Sequence, residues 1–301
     1  MINLKHPNYL QKGDTVAIVS TARKISSDQI IAAIKLLEKW GLNVVIGNTI
    51  GLEDYQFAGN DEARINDFQQ LLNNPKVKAI WCARGGYGTV RLIDQLDFSE
   101  FKKEPKWIIG YSDITVLHSH IHNFGIETLH ATMPINIEKS SKLSIETFKK
   151  SLFGKNLSYE FPAGEKNKSG NASGELVGGN LSVLYSLLGS KSAKKTDGKI
   201  LFIEDLDEYL YHIDRMLVNL KRNGYFSNLK GLIVGGMTNM HDNEIAFGKT
   251  AEEIILDCVS EYDFPVVFNF PAGHLDDNRA LILGRKVTLE VGEIKCKIAF
   301  L

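Results

Sequence analysis

The chain has 301 residues, of which 44% are hydrophobic and 24% charged, with a formal net charge of −1 at pH 7. This composition is that of a globular protein, and the length is sufficient for two domains. The nearly neutral charge excludes the strongly basic proteins that bind nucleic acid or anionic membranes through net charge, so neither partner is expected.

The start of the chain and its cysteines predict the compartment. Residues 1–6 lack the basic-then-apolar pattern of a signal peptide, and no window approaches the ~18 apolar residues of a membrane span. The three cysteines, Cys82, Cys258 and Cys296, are far apart and odd in number, so they predict neither a disulfide framework nor a CxxC metal pair. We therefore expect a soluble cytoplasmic protein without a metal or another cofactor.

The first half of the chain alternates short apolar runs with amphipathic segments. Such alternation predicts an α/β fold with a parallel sheet and helices on both faces, and working residues in such sheets follow the carboxyl ends of strands. We expect this domain to span residues 1–155. The predicted strands are 15–19, 42–46, 77–83, 107–110 and 127–133, and the predicted helices start at 26–28 and 60–61 and span 89–96 and 114–124.

Between residues 156 and 173 the composition shifts to Lys, Asn, Ser and Gly, which is typical of a linker. The second half, 174–301, mixes strands with helices and ends in β-branched runs over 281–300. We therefore expect a β-rich C-terminal domain after the linker. Its other predicted strands are 199–203, 229–234 and 265–270, and its predicted helices are 180–188, 211–221 and 251–262.

A serine at the junction of a buried strand and a helix is the first candidate for chemistry. Ser112 follows the apolar run 107–110 and precedes an apolar-periodic helix. A serine on such a turn is lifted above the sheet edge, and the helix N-terminus supplies N–H groups for an oxyanion. The nucleophile pattern G-x-S-x-G is half met, because Ile114 replaces the second glycine. The alternative is that Ser112 or Asp113 caps the helix.

A second strand-to-helix junction, residues 83–89, is rich in glycine. Gly85, Gly86 and Gly88 would let backbone amides approach a ligand closely. The segment has no Walker lysine and no complete GxGxxG, so it is a weak nucleotide motif. A glycine N–H donated to an oxyanion suits it equally well. The alternative is a tight turn without a chemical role.

Acidic residues and a histidine follow two predicted strands of the second half. Glu204, Asp205, Asp207 and Glu208 lie directly after a buried run, and His274 follows a strand and a Pro-Ala-Gly turn. Crowded carboxylates repel one another, so some of them should have partners. Helix capping is the favoured interpretation for Asp205 and Asp207, and a lone histidine is more often structural than catalytic.

Three histidines in the helix after Ser112 have the spacing of a metal motif. His118 and His122 are one helical turn apart, with His120 between them. The glutamate of an HExxH motif is missing, and no third ligand is evident. Packing or surface histidines are therefore expected rather than a metal site.

Taken together and in this order, the motifs resemble the LD-carboxypeptidase family of serine peptidases. Its members cleave a D-amino acid from a muropeptide, and the microcin C immunity proteins are a specialised branch. The resemblance implies a flavodoxin-like N-terminal domain and a smaller β-rich C-terminal domain, usually in a homodimer. The segments that carry it are GDTVA at 13–17, FAGNDEAR at 57–64, ARGGYG at 83–88, GYSD at 110–113, GGNL at 178–181, IED at 203–205, Tyr211, IDR at 213–215, GH at 273–274 and Asn278.

The same resemblance implies a role for each matching residue. It predicts a serine carboxypeptidase that releases D-Ala from a murein tetrapeptide through a Ser-His-Glu triad and an acyl-enzyme. Ser112 would be the nucleophile, with His274 and Glu204 as its partners. The further candidates are the N–H groups of Gly86 and Asp113 for the oxyanion hole, and Arg84, Gly85 and Tyr87 for substrate binding.

Two other functions are consistent with the sequence. One is an amidase or peptidase that detoxifies a peptidyl-nucleotide antibiotic of the microcin C type. It would need an aromatic platform for the base, and the interval from Ser112 to Glu204 contains no tryptophan. The other is a non-catalytic two-domain protein that binds an anion at the Gly85–Gly86 turn.

Overall fold

The computed structural model of the chain describes residues 4–301, so residues 1–3 of the N-terminal segment considered above lie outside it. Within that range, no helix is both long and apolar enough to cross a membrane. The elements of the N-terminal half are strands β1 (Thr15–Val19), β2 (Asn43–Ile46), β3 (Val77–Cys82), β4 (Trp107–Gly110) and β5 (Thr128–His130), and helices α1 (Ile31–Lys39), α2 (Asp61–Asn73), α3 (Ser99–Lys103), α4 (Thr115–His122) and α5 (Lys142–Leu152).

These five strands form a parallel sheet in the order β2-β1-β3-β4-β5. This is the strand order of flavodoxin-like folds, so the fold class predicted for this half is confirmed. The central strands are buried along their length, as expected for a sheet that is covered by helices on both faces. Their carboxyl ends, after Cys82 and Gly110, are where the sequence places its candidate residues.

The segment predicted as a helix over 89–96 instead forms two 3-10 turns, Thr89–Arg91 and Ile93–Gln95. The Thr89 N–H at its start donates to the carboxylate of Asp113, at 2.9 Å, which fixes the first turn to the neighbouring loop. A segment this short gains few i→i−4 hydrogen bonds, so the tighter 3-10 geometry is a common outcome.

The C-terminal half contains eight strands and three helices. Its elements are strands β6 (Ser158–Pro162), β7 (Gly170–Asn180), β8 (Ile200–Leu206), β9 (Gly231–Thr238), β10 (Val266–Val267), β11 (Leu281–Leu283), β12 (Lys286–Val291) and β13 (Lys295–Phe300), and helices α6 (Leu181–Ser186), α7 (Leu210–Arg222) and α8 (Ala251–Val259). All of these strands except β11 form one seven-stranded mixed sheet.

The strand order in this second sheet is β10-β9-β8-β7-β12-β13-β6. Strands β10, β9, β8 and β7 are parallel, whereas β7, β12, β13 and β6 are antiparallel. β7 joins the two parts, because its first residues pair with β12 and its last five pair with β8. The β-rich ending predicted from the sequence is present as β11, β12 and β13.

The segment 156–173, which we expected to be a linker, contains β6 and the start of β7. Its alternating pattern explains the difference. Tyr159 is buried, and its ring packs against Phe270 with centroids 5.2 Å apart, while the residues on either side of it are exposed. Composition alone misses such a strand, because alternate side chains point to the solvent-exposed face of the sheet and can be polar.

The two halves are held together by non-covalent contacts as well as by the chain that connects them. Strand β11 leaves the C-terminal half and pairs antiparallel with β5, at the edge of the N-terminal sheet. One buried hydrophobic cluster also includes residues from both halves, among them Trp81, Phe148, Phe202 and Phe270. The halves therefore share a core.

Helix α4 lies directly against the end of β7. The backbone N–H of Asn180 donates to Thr115 Oγ1 at 3.0 Å, and both residues are buried. A Cβ placed on Gly179 would lie 2.5 Å from the same oxygen, and Gly179 has a φ of +141°. The absence of a side chain at this position therefore permits the contact.

We expect Gly179→Ala to lower the free energy of unfolding by about 1–3 kcal/mol more than Gly189→Ala does. Gly189 also has a positive φ, +79°, but a Cβ there would meet no atom within 4 Å. The control therefore reports backbone strain without the clash against Thr115. Urea unfolding of both variants measures the difference, and equal destabilisation would contradict the close approach.

Candidate active site

The turn that carries Ser112 is strained in a way that projects its side chain. β4 ends at Gly110, and Ser112 has a φ of +63°, in the left-handed region that residues other than glycine rarely adopt. A 3-10 turn, Ser112–Ile114, then leads into α4. This is the backbone geometry of a nucleophile elbow, and such strain is characteristic of functional positions.

The alternative that Ser112 or Asp113 caps the helix does not hold. Neither the 3-10 turn nor α4 has a side-chain cap hydrogen bond at its start. The Ser112 hydroxyl instead lies 3.1 Å from His274 Nε2. The carboxylate of Asp113 is buried and accepts from Thr89 N–H, which belongs to the adjacent loop.

His274 connects Ser112 to Glu204. Its Nδ1 lies 2.7 Å from Glu204 Oε2, and the same oxygen accepts the His274 backbone N–H at 3.2 Å. Glu204 is fully buried on β8, and a Cβ on Gly273 would lie 2.7 Å from its Oε2. The glycine before His274 therefore lets the loop come close enough for both hydrogen bonds.

Burial lowers the pKa of His274, but the charge and hydrogen bond of Glu204 raise it by more, so the pKa lies above its usual value. The neighbouring Asp205 acts in the same direction. Burial raises the pKa of Asp205 itself to about 7, and the adjacent Glu204 carboxylate contributes to that rise. The surroundings of His274 therefore stabilise its protonated form, the imidazolium.

The loop that carries His274 is fixed to the N-terminal half. Asn278 Oδ1 accepts the Gly273 N–H at 2.9 Å, which closes the loop on itself. Ser144, on α5, donates its hydroxyl to the Asn278 carbonyl at 2.7 Å. The ring of Tyr111 lies edge-on to the imidazole, with centroids 4.9 Å apart. These contacts hold His274 in one position relative to Ser112.

The glycine-rich junction lies beside Ser112. A Cβ on Gly85 would be 3.2 Å from Ser112 Cβ and 3.5 Å from the Asp113 backbone nitrogen. Gly86 follows with a φ of +106°. The structure thus places Gly85 next to the serine and to the Asp113 backbone nitrogen, and Gly86 lines the cavity in front of them.

The other two predicted substrate-binding residues differ from each other in placement. Arg84 lines the cavity in front of Ser112, but its Nη1 donates to the Lys24 carbonyl at 3.0 Å. Tyr87 does not line the cavity; its ring is 47% exposed and lies 6.2 Å from that of Phe57. The structure therefore gives no contact between Tyr87 and the serine's surroundings.

A cavity of about 520 Å³ opens in front of Ser112 and His274. Its walls come from both halves of the chain. Three of the polar residues in them, Arg23, Asn180 and Ser182, were given no functional role from the sequence, although Asn180 belongs to the GGNL segment. Strand-end placement could have found Arg23 and Asn180, because Arg23 follows β1 and Asn180 ends β7.

Asp205 has the capping role that the sequence suggests for it. Its Oδ2 accepts the Ser182 N–H in the first turn of α6 at 2.8 Å, and its Oδ1 accepts from Asn180 Nδ2 at 2.9 Å. Asp207 instead pairs with His241, with Oδ1 and Nε2 2.5 Å apart. The capping interpretation is thus confirmed for Asp205 and wrong for Asp207.

The histidines of α4 are packing residues. His118 and His122 are buried, and the Nε2 atoms lie 3.0 Å from the Gly110 carbonyl and 3.3 Å from Thr128 Oγ1 respectively. Burial lowers the pKa of His118 to about 4. Among residues 4–301, no three His, Cys, Asp or Glu side chains are grouped to hold a metal ion.

Comparison with known families gives two matches in succession along the chain. Residues 16–131 match the family model described as the LD-carboxypeptidase N-terminal domain. Residues 173–289 match the model of the LD-carboxypeptidase C-terminal domain. Together the two matches account for well over half of the chain.

The chain is also similar over nearly its full length to individual proteins. It is 35% identical to a probable murein peptide carboxypeptidase of Bacillus subtilis, over 95% of this chain and 92% of that protein. It is 27% identical to the microcin self-immunity protein MccF of Escherichia coli, over 93% and 92%. The crystal structure of muramoyltetrapeptide carboxypeptidase from Oxalobacter formigenes superposes with a TM-score of 0.85 at 26% identity, covering 95% of this chain and 98% of that one.

The strain at Ser112 predicts an unusual order of stability. Ser112→Gly and Ser112→Ala both remove the hydroxyl, but only glycine adopts a φ of +63° without steric cost. We expect the glycine variant to be more stable than the alanine variant by roughly 0.5–1 kcal/mol, the reverse of the order found inside helices and strands. Chemical denaturation of the two proteins tests this, and a more stable alanine variant would contradict the strain.

Proposed function

Because the chain belongs to the LD-carboxypeptidase family, we propose that it is a serine carboxypeptidase that hydrolyses an L–D peptide bond and releases the terminal D-alanine of murein tetrapeptides. The observation that carries the proposal is the series of hydrogen bonds from Ser112 through His274 to Glu204. A nucleophile, a base and a carboxylate in this arrangement perform acyl transfer on many unrelated folds.

In the acylation step, Ser112 Oγ attacks the carbonyl carbon on the L side of the scissile bond while His274 Nε2 accepts its proton. Glu204 keeps the other imidazole proton on Nδ1 and stabilises the imidazolium that forms. The N–H groups of Gly86 and Asp113 receive the oxyanion. The loss of one such donor typically costs about 3–4 kcal/mol of transition-state stabilisation.

In the following steps the proton moves on. The His274 imidazolium donates it to the nitrogen of the leaving D-alanine, and the C–N bond breaks. Water then takes the place of the amine, gives a proton to His274 and attacks the ester carbonyl. The Ser112 hydroxyl is restored by that same proton, so one water is consumed for each peptide bond.

The same proposal extends to the setting of the enzyme. It would act as a homodimer in the cytoplasm, on muropeptides released during peptidoglycan recycling. The support is the family resemblance and the reduced state of the buried cysteines, Cys82, Cys258 and Cys296. Light scattering of the purified protein tests the assembly, and a monomer at micromolar concentration would contradict it.

A second candidate function rests on the similarity to MccF. A peptidyl-nucleotide would need a wall on which its base could stack, as bases do on aromatic side chains elsewhere. Tyr111 is the one aromatic residue that lines the cavity within residues 4–301, and its ring is already packed against His274. This favours a murein peptide, and parallel assays with a tetrapeptide and an aminoacyl-nucleotide separate the two.

We expect Ser112→Ala to lose about 10⁴-fold or more in kcat while the protein stays folded. The substrate is a tetrapeptide that ends in an L-centre followed by D-Ala, and its all-L counterpart should not be cleaved. Ser260→Ala is the control, because that hydroxyl donates to the Asp257 carbonyl on an exposed helix end. D-Alanine release by a folded Ser112→Ala protein at a normal rate would contradict the role of the serine.

The raised pKa of His274 predicts the acid limb of the pH profile. The imidazole must be neutral to accept the serine proton, so kcat/KM should fall as the pH decreases through a pKa above the usual value for histidine. Glu204→Gln removes the carboxylate that raises this pKa and leaves burial, which lowers it. The acid limb should therefore move to lower pH, and kcat should fall by about 10⁴-fold.

Glu244→Gln serves as the matched control, since Glu244 is an exposed carboxylate in the loop before α8. Its pH profile should coincide with that of the unaltered protein. An acid limb that stays in place in Glu204→Gln would show that His274 is not the titrating base.

A further inference from the structure

The charged walls of the cavity have opposite signs on its two sides. The glycine-rich junction and the loop after β1 contribute the two arginines, Arg23 and Arg84. The end of β8 contributes three carboxylates, those of Asp205, Asp207 and Glu208. A substrate carboxylate in this cavity is therefore attracted to the arginine side and repelled from the β8 side.

A carboxypeptidase substrate fixes how close its terminal carboxylate lies to the reaction. The carboxylate carbon of the leaving residue is three bonds from the scissile carbonyl carbon, which standard bond lengths limit to about 4 Å. The cation that binds this carboxylate must therefore lie next to the oxyanion hole. Cations farther along the cavity could not reach it.

Arg23 has this position. A Cβ on Gly86 would lie 2.5 Å from Arg23 Cδ and 2.8 Å from Arg23 Nε, so the side chain passes directly over the glycine. The backbone of Arg23 is held on both sides, because its N–H donates to the Gly85 carbonyl and its carbonyl accepts from Ser20 Oγ at 2.7 Å.

The guanidinium of Arg23 is also free to bind a ligand. The side chain is exposed, and it makes no hydrogen bond or ion pair with any residue in the described range 4–301. Arg84 differs, because its Nη1 already donates a hydrogen bond to the Lys24 carbonyl. That bond holds the backbone next to Arg23, so Arg84 acts through the position of its neighbour.

We propose that Arg23 binds the terminal carboxylate of the substrate and thereby makes the site specific for carboxypeptidase cleavage. This inference rests on the proposed function and adds the residue that recognises the C-terminal carboxylate of the peptide. An arginine offers two parallel N–H donors to a carboxylate, which fixes the leaving residue as well as attracting it. The site would then reject internal peptide bonds and C-terminal amides.

The test compares two ligands that differ in one group: a tetrapeptide ending in L-Lys–D-Ala, and the same peptide ending in D-alaninamide. Binding is measured by calorimetry on Ser112→Ala protein, so that turnover does not interfere. In that background, Arg23→Met should weaken binding of the acid by about 10- to 100-fold, the usual worth of a charged hydrogen bond, and leave binding of the amide unchanged. Arg23→Lys should restore part of the affinity for the acid.

Arg222→Met is the matched control, because Arg222 is an exposed arginine at the end of α7, outside the cavity, and this variant should keep the preference for the acid over the amide. The proposal is overturned if Arg23→Met weakens both ligands equally, since that would indicate packing over Gly86. It is also overturned if the preference survives in Arg23→Met or disappears in Arg222→Met.

A separate assay with the unaltered protein tests the underlying function. Failure to release D-alanine from the acid peptide would overturn the proposed activity, and with it this inference. Release of D-alanine together with unchanged acid binding in Arg23→Met would overturn the inference alone.

Discussion

The contact between α4 and β7 determines whether the site can form. Thr115 begins α4, three residues after Ser112, and its hydroxyl accepts the N–H of Asn180 at the end of β7. Asn180 is in register with Glu204 on the adjacent strand. This one hydrogen bond therefore fixes the position of the Ser112 turn relative to the Glu204 carboxylate. Gly179 permits the bond because it has no side chain that would clash with Thr115. His274 fits into the interval that remains, with distances of 3.1 and 2.7 Å to its two neighbours.

The features that the sequence predicted well are those encoded locally. The apolar runs of the parallel strands and the turn around Ser112 can each be identified within about ten residues of chain. The features that it missed depend on distant partners. β11 lies in the tail that was predicted to be β-rich, but its pairing with β5, about 150 positions earlier, was not predicted. β6 lies in a polar stretch, and the burial of Tyr159 depends on Phe270. No local pattern specifies such partners.

The same distinction applies to the candidate site. Ser112, Glu204 and His274 each follow a strand predicted from the sequence, so their place near the carboxyl ends of the strands could be predicted, while the family resemblance supplied their roles. Arg23 was missed because its side chain crosses Gly86, which is far from it in the chain, and no local pattern indicates that contact. Tyr87 was included because it adjoins Gly86, yet its ring lies beside Phe57. Neighbours in a tight turn point in different directions, so proximity in sequence does not establish proximity to a ligand.

Two adjacent buried acids behave differently because their partners differ. Glu204 faces the imidazole, which can carry a compensating charge, whereas Asp205 accepts only neutral donors from Asn180, Ser182 and Leu206. Burial and the neighbouring Glu204 carboxylate raise the pKa of Asp205 to about 7, so Asp205 takes up a proton more readily than an exposed aspartate does. Glu204 lies against the imidazole of His274 in a place where low solvent access strengthens their interaction. Strand β8 thus buries two carboxyl groups side by side because one is held by neutral hydrogen-bond donors and the other by the imidazole.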